Sequence, residues 1–217
     1  MSDMPGMTPG IHPWAPTDFF MMFLMWAVMM FAMMVPSAMR SVLIYARMVN
    51  RREPQNPLIT PSLVFVFGYI TIWTLFSISA TALQWALEMM ALLSPMMVTT
   101  SSKLGAAILV AAGIYQLTPL KNTCLRHCQS PAMFIASHYQ KGMRGAFRLG
   151  LIHGTYCLGC CWLLMGLLFV GGVMNLVWIL AISLFVLAEK LLPPRIQSTR
   201  ITSLIMIAAG SVYVVAA

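Results

Sequence analysis

The sequence predicts an all-α protein, a polytopic transmembrane bundle of about six spans with both termini outward. Three observations carry that expectation. Of the 217 residues 60% are hydrophobic and only 8% charged, where soluble domains average roughly 25% charged, and the mean hydropathy is +0.84. The apolar residues gather into six stretches, each close to the roughly 20 residues that a helix needs to cross a bilayer core. The basic residues, finally, fall in alternate connectors between those stretches.

In chain order the spans are expected near Thr17–Met39, Leu63–Leu87, Leu104–Leu120, Phe147–Val170, Met174–Leu192 and Ile201–Ala217. The third and sixth are short. Asp18 at the head of the first span is placed to cap it, and Pro36 is expected to kink or end it. No basic residue precedes this span and its apolar run is long, so it does not read as a cleavable signal peptide. Gly171–Gly172 allows only a tight hairpin between spans four and five. The chain thus divides into a Met-rich outward tail, 1–16, and a single transmembrane domain, 17–217, with cytoplasmic loops at 40–61, 121–147 and 193–200.

Charge parity supplies the orientation. Arg40, Arg47, Arg51 and Arg52 follow span one; Lys121, Arg126, Lys141, Arg144 and Arg148 follow span three; Lys190, Arg195 and Arg200 follow span five. Only Lys103 falls on the opposite side. Cytoplasmic connectors are enriched in Lys and Arg, which places this side in the cytoplasm. The excess of 13 basic over 5 acidic residues is therefore an orientation signal rather than a nucleic-acid signal. Without a Gly-rich phosphate loop, nucleotide-driven work is not expected either. Small residues mark helix contacts in lipid; Gly105, Ala106, Ala112, Gly113, Gly154 and Gly159 fit that role.

Chemistry concentrates in span four, which reads His153-Gly-Thr-Tyr-Cys157-Leu-Gly-Cys160-Cys161-Trp162. Residues three and four apart share a helix face, so His153, Cys157 and Cys161 form one stripe with Cys160 beside it. Imidazole and thiolate are ligands for Cu(I), zinc or an iron–sulfur cluster. A second cluster, Lys121-Asn-Thr-Cys124-Leu-Arg-His127-Cys128, is expected as a cytoplasmic site just past span three. Cysteine is also a small apolar residue suited to packing, but one His and three Cys on a single intramembrane face favour a metal site.

Methionine is the other soft donor. There are 21, including Met1, Met4 and Met7 beside His12 in the tail. Met21, Met25, Met29 and Met33 form an i+4 stripe down span one, of which Met25, Met29 and Met33 are candidate ligands. Met89, Met90, Met96 and Met97 cluster near Glu88 at the outer side. Thioethers favour Cu(I), although a Met stripe also packs like any flexible apolar side chain. Glu189-Lys190 reads as an interfacial ion pair.

Several segments together, Trp26-Ala-Val-Met29-Met-Phe-Ala-Met33-Met34-Val-Pro36, Tyr115-Gln-Leu-Thr-Pro119-Leu-Lys121 with Cys124 and Cys128, Gly154-Thr-Tyr-Cys157-Leu-Gly-Cys160-Cys161-Trp162, Gly172-Val-Met174-Asn175 and Glu189-Lys190, resemble the bacterial family of predicted metal-binding integral membrane proteins. The resemblance spans residues from about 20 to 192, and Cys-x-x-Cys-Cys-Trp is its most specific part. It implies a multi-pass membrane protein with a metal site, and some members are linked to copper delivery to cuproenzymes.

The expected function is handling of a soft metal, Cu(I) ahead of zinc or an iron–sulfur cluster, for transport or for delivery to a cuproenzyme. The metal ligands are expected among His153, Cys157, Cys160, Cys161, Cys124, His127, Cys128, Met25, Met29 and Met33. Expected partners are the lipid bilayer, a metal ion and a cuproenzyme or soluble metallochaperone, with homo-oligomerisation left open. The alternatives are a membrane thiol–disulfide oxidoreductase and a structural subunit of a membrane complex.

Overall fold

The computed structural model describes residues 15–53, 59–90, 92–93, 102–191 and 198–215. The Met-rich tail with Met1, Met4, Met7 and His12, the outer-loop Met96 and Met97, and most of the connector at 193–200 lie outside the described residues. The fold is all-helical, with nine helices among the described residues: α1 Pro16–Arg52, α2 Ile59–Met89, α3 Ser102–Leu117, α4 Pro119–Gln129, α5 Pro131–His138, α6 Gly142–Gly166, α7 Leu168–Gly171, α8 Leu176–Leu191 and α9 Ser198–Val215. Three stretches, α1, α2 and α6 continued by α7, are long and apolar enough to cross a membrane. The bent pair α3–α4 makes a fourth if counted as one span.

Two expectations about α1 are refined. Asp18 does cap it, accepting a hydrogen bond from the Ala15 N–H at 2.9 Å. Pro36, however, lies inside the helix without ending it. Residues 40–52, expected as part of a loop, instead continue the helix to Arg52, and α2 already begins at Ile59. At 1.5 Å per residue the 37-residue helix is about 55 Å long, well beyond the roughly 30 Å of a hydrocarbon core. It therefore carries the exposed Arg40, Arg47, Arg51 and Arg52 past the apolar zone. At that end the guanidinium of Arg52 sits 4.8 Å over the Tyr139 ring, and the Tyr139 hydroxyl donates to Glu53 at 2.8 Å.

Glycine governs the packing. α2 and α6 form the most extensive pair, followed by α3 with α9. Gly68 on α2 faces the backbone of Phe147, and Gly150 on α6 faces the carbonyl of Phe65 so closely that neither site has room for a Cβ. A Cβ at Gly154 would come within 3.0 Å of Ile72. Gly113 admits α9, whose Ser203 hydroxyl donates to its carbonyl at 2.7 Å. Backbones that approach this closely gain dispersion contacts where lipid supplies no hydrophobic drive. Between α7 and α8 the turn passes through Gly172 at φ 93°, a left-handed conformation that glycine adopts without penalty.

α3 stops at Thr118 because Pro119 lacks an N–H and disfavours a helical residue before it. Thr118 then caps the next helix, its hydroxyl accepting from the Lys121 N–H at 3.3 Å, with Pro119 at the first helical position where proline is well suited. The axis turns by 67° at this break. The turn lays α4 against α6 and buries Lys121, Cys124, Leu125 and Cys128.

Candidate metal centre

The bend brings together two groups of cysteines separated by about thirty residues of sequence. Cys128 on α4 is within hydrogen-bonding reach of both Cys157 and Cys160 on α6, and Cys161 interacts with the same two sulfurs. Cys160 and Cys161 also each donate to the Cys157 carbonyl at 3.0 Å. Cys124 packs over Gly159, where a Cβ would fall 2.9 Å from its Sγ. All five cysteines are free and buried. What the sequence divides into an intramembrane site and a cytoplasmic site is, in space, one thiol cluster.

Three helices complete its surroundings. Lys190 of α8 is 5% exposed, and its ammonium donates to Cys157 Sγ at 3.0 Å and to Ser37 Oγ at 2.9 Å. Met34 Sδ lies 4.0 Å from the same nitrogen. Tyr69 of α2 donates to the Met34 carbonyl at 3.1 Å, and its hydroxyl stands 3.1 Å from Cys157 Sγ. Cys157 is thus the sulfur on which α1, α2, α6 and α8 converge.

Glu189 and Lys190 do not form the ion pair expected from their adjacency. Neighbours on a helix point about 100° apart, and here they take different partners. Glu189 pairs with Lys121 at 2.8 Å, and Lys121 also donates to Gln116. Lys121, expected in a cytoplasmic connector, and Lys190, expected at the interface, are both buried. A charge ending an apolar run is a candidate intramembrane functional group; that signal was present in the sequence for Lys190, but its partners were not.

The other expected ligands take other partners. His153 is buried one turn before Cys157, ringed by Phe65, Tyr69 and Phe134 at centroid distances of 5.9, 5.8 and 5.8 Å, and its Nδ1 has no hydrogen-bond partner. His127 stacks on Tyr156 at 4.2 Å, with its Nδ1 2.8 Å from the Thr123 carbonyl. In α1 the core-facing set is Trp26, Met30, Met33 and Met34, all buried, whereas Met25 and Met29 are only partly so and Met21 is 64% exposed. The stripe that meets the core is therefore turned by one residue from the expected one. Toward the other end of the bundle Gln84 accepts from Trp26 Nε1 at 2.7 Å and donates to Glu88 at 2.9 Å.

Among the described residues, no group of three or more His, Cys, Asp or Glu side chains is disposed to hold a metal ion as it stands; the Cys160 and Cys161 thiols hydrogen-bond to the Cys157 carbonyl instead. Their chemistry nevertheless fits a soft monovalent ion: several sulfurs, a nearby thioether, and a buried cation able to balance a thiolate.

These features define an all-helical protein with helices able to span a membrane and a buried cluster of thiols at the meeting of α4 and α6. The chain belongs to the copper chaperone family PpoB2, whose model matches residues 23–213. No curated protein and no solved structure matches it.

Proposed function

We propose that the protein is a multi-pass protein of a bacterial cytoplasmic membrane that receives Cu(I) on the buried thiol cluster and hands it to a cuproenzyme, directly or through a soluble metallochaperone. The observation that carries this reading is the convergence of Cys128, Cys157, Cys160 and Cys161 beside Lys190. Cu(I) is the cargo. Each sulfur that binds it gives up its proton and exchanges a weak thiol hydrogen bond for a metal–sulfur bond. Cys128 and Cys157 are the two ligands, because between them they tie α4 to α6.

Met30, Met33 and Met34 supply a thioether lining on the core face of α1 that leads to the cluster, and Met34 stands at its edge. His153, buried with an unpartnered Nδ1, is the next donor along α6 and takes the ion on the far side of the thiols. Basic connectors would then face the cytoplasm, with both termini outward.

The test is the copper content of the purified full-length chain, loaded anaerobically with Cu(I) and washed. Close to one copper per wild-type chain and a large loss in Cys157→Ser supports the reading. Little copper in both rejects it.

Thiol–disulfide exchange is the second reading, favoured by direct contact between sulfurs of two different helices. It requires a Cys128–Cys157 disulfide that forms and opens in cells. Mass-tag labelling that finds all five thiols permanently reduced removes it.

A further inference from the structure

We infer that Lys190 is the residue that sets the charge of the ion the cluster accepts, making the site one for a monovalent soft cation and discriminating against divalent ones. The inference rests on the copper-handling reading and adds the residue that confers selectivity. It stands on three observations. The Lys190 ammonium is buried and lies 3.0 Å from Cys157 Sγ. Its other contacts, Ser37 Oγ and Met34 Sδ, are neutral. The carboxylate next to it in sequence, Glu189, is engaged by Lys121, and that pair is internally neutral.

The charge arithmetic follows. When two thiols bind one Cu(I), two S–H bonds break, two Cu–S bonds form and two protons leave for solvent, giving a complex of charge −1. Lys190 at +1 brings the buried assembly to zero. A divalent ion on the same two thiolates is neutral alone, so Lys190 leaves the assembly at +1. Removing that excess requires either a third thiolate or loss of the Lys190 proton, each at a further cost. Uncompensated charge in a low-dielectric interior is strongly penalised, so the lysine favours the monovalent ion. Hydrogen bonds from Lys190 to Ser37 hold the ammonium on the α1 side of Cys157, where it can act as counter-ion without occupying a ligand position.

The experiment is metal competition on full-length protein in detergent under anaerobic, reducing conditions. Wild type, Lys190→Met, Lys190→Arg and Cys157→Ser are each offered equimolar Cu(I) and Zn(II), and bound metals are counted by elemental analysis. Wild type and Lys190→Arg should hold copper and little zinc. In Lys190→Met the copper-to-zinc ratio should fall by about tenfold or more, since an uncompensated buried charge outweighs that factor easily. An unchanged ratio in Lys190→Met overturns the inference while leaving copper binding intact. If wild type binds neither metal, the copper reading itself fails and this inference with it. Should Lys190→Met not elute as a monodisperse species, Lys190→Gln provides a neutral side chain that still hydrogen-bonds Ser37, and the same ratio decides.

Discussion

Cys128 on α4 and Cys157 on α6 lie within hydrogen-bonding reach of each other, although 28 intervening residues carry the chain through two connectors and a whole short helix. The contact exists because the chain turns by 67° at Thr118–Pro119. It joins the α4 cysteines to the thiols of α6 in one buried cluster.

One site, rather than two, has a direct consequence. Cys128→Ser should remove copper as severely as Cys157→Ser, whereas His127→Ala, which deletes a ring stacked on Tyr156, should leave copper content within error of wild type. Elemental analysis of the three variants checks this. A full copper load in Cys128→Ser would mean that the α4 and α6 thiols act independently.

Close backbone approach predicts a stability effect at glycine. Gly150→Ala places a methyl group against the Phe65 carbonyl, and overpacking of this kind costs about 1–3 kcal/mol. Its unfolding midpoint in detergent should fall by the corresponding amount. Gly142→Ala tests the other source of glycine dependence, because there a Cβ meets nothing but the φ is 82°, so it should show only the smaller penalty of a left-handed backbone.

The buried pair Lys121–Glu189 should behave as a unit. Glu189→Gln alone leaves a buried ammonium without its counter-charge and should destabilise the fold on the order of 3–5 kcal/mol. Combining it with Lys121→Met removes the stranded charge and should recover most of the loss. Denaturant unfolding of the single and double variants measures the difference; a double variant no more stable than the single would show that the pair contributes only through packing.

A pH effect is expected at the basic end of the bundle. Burial, and then the hydrogen bond to Glu53, push the Tyr139 hydroxyl up from 10.0 to about 12. Because the folded state holds this proton more tightly than the unfolded chain does, the stabilisation is complete below pH 10 and is lost as pH rises from 10 toward 12. The unfolding midpoint should fall over that window, and Tyr139→Phe should reduce the fall, with Tyr45, also raised to about 12 by burial and by Glu53, supplying the remainder. An equal fall in both proteins would place its origin elsewhere.

How much of this was legible in the sequence differs by element. Helical character and the shared face of Cys157 and Cys161 follow from composition and i,i+4 spacing alone, and Asp18 as a cap needs only its position. The phase of α1 was not legible: apolar side chains surround that helix, so periodicity does not say which stripe faces the core, and packing on α2 and α8 selects Met30 and Met34. Nor was the merging of the cysteines, which depends on a bend and on where α4 lands. The Lys121–Glu189 and Lys190–Cys157 pairings link residues 68 and 33 positions apart, beyond the reach of any local rule.

On the proposed reading, sulfurs of both α4 and α6 hold a single Cu(I). Copper K-edge X-ray absorption on the loaded full-length protein decides this, comparing wild type with the residual copper that Cys128→Ser retains. A sulfur-only first shell in wild type that loses one sulfur in the variant is the expected result. A shell dominated by nitrogen or oxygen, or one unchanged by Cys128→Ser, would contradict it.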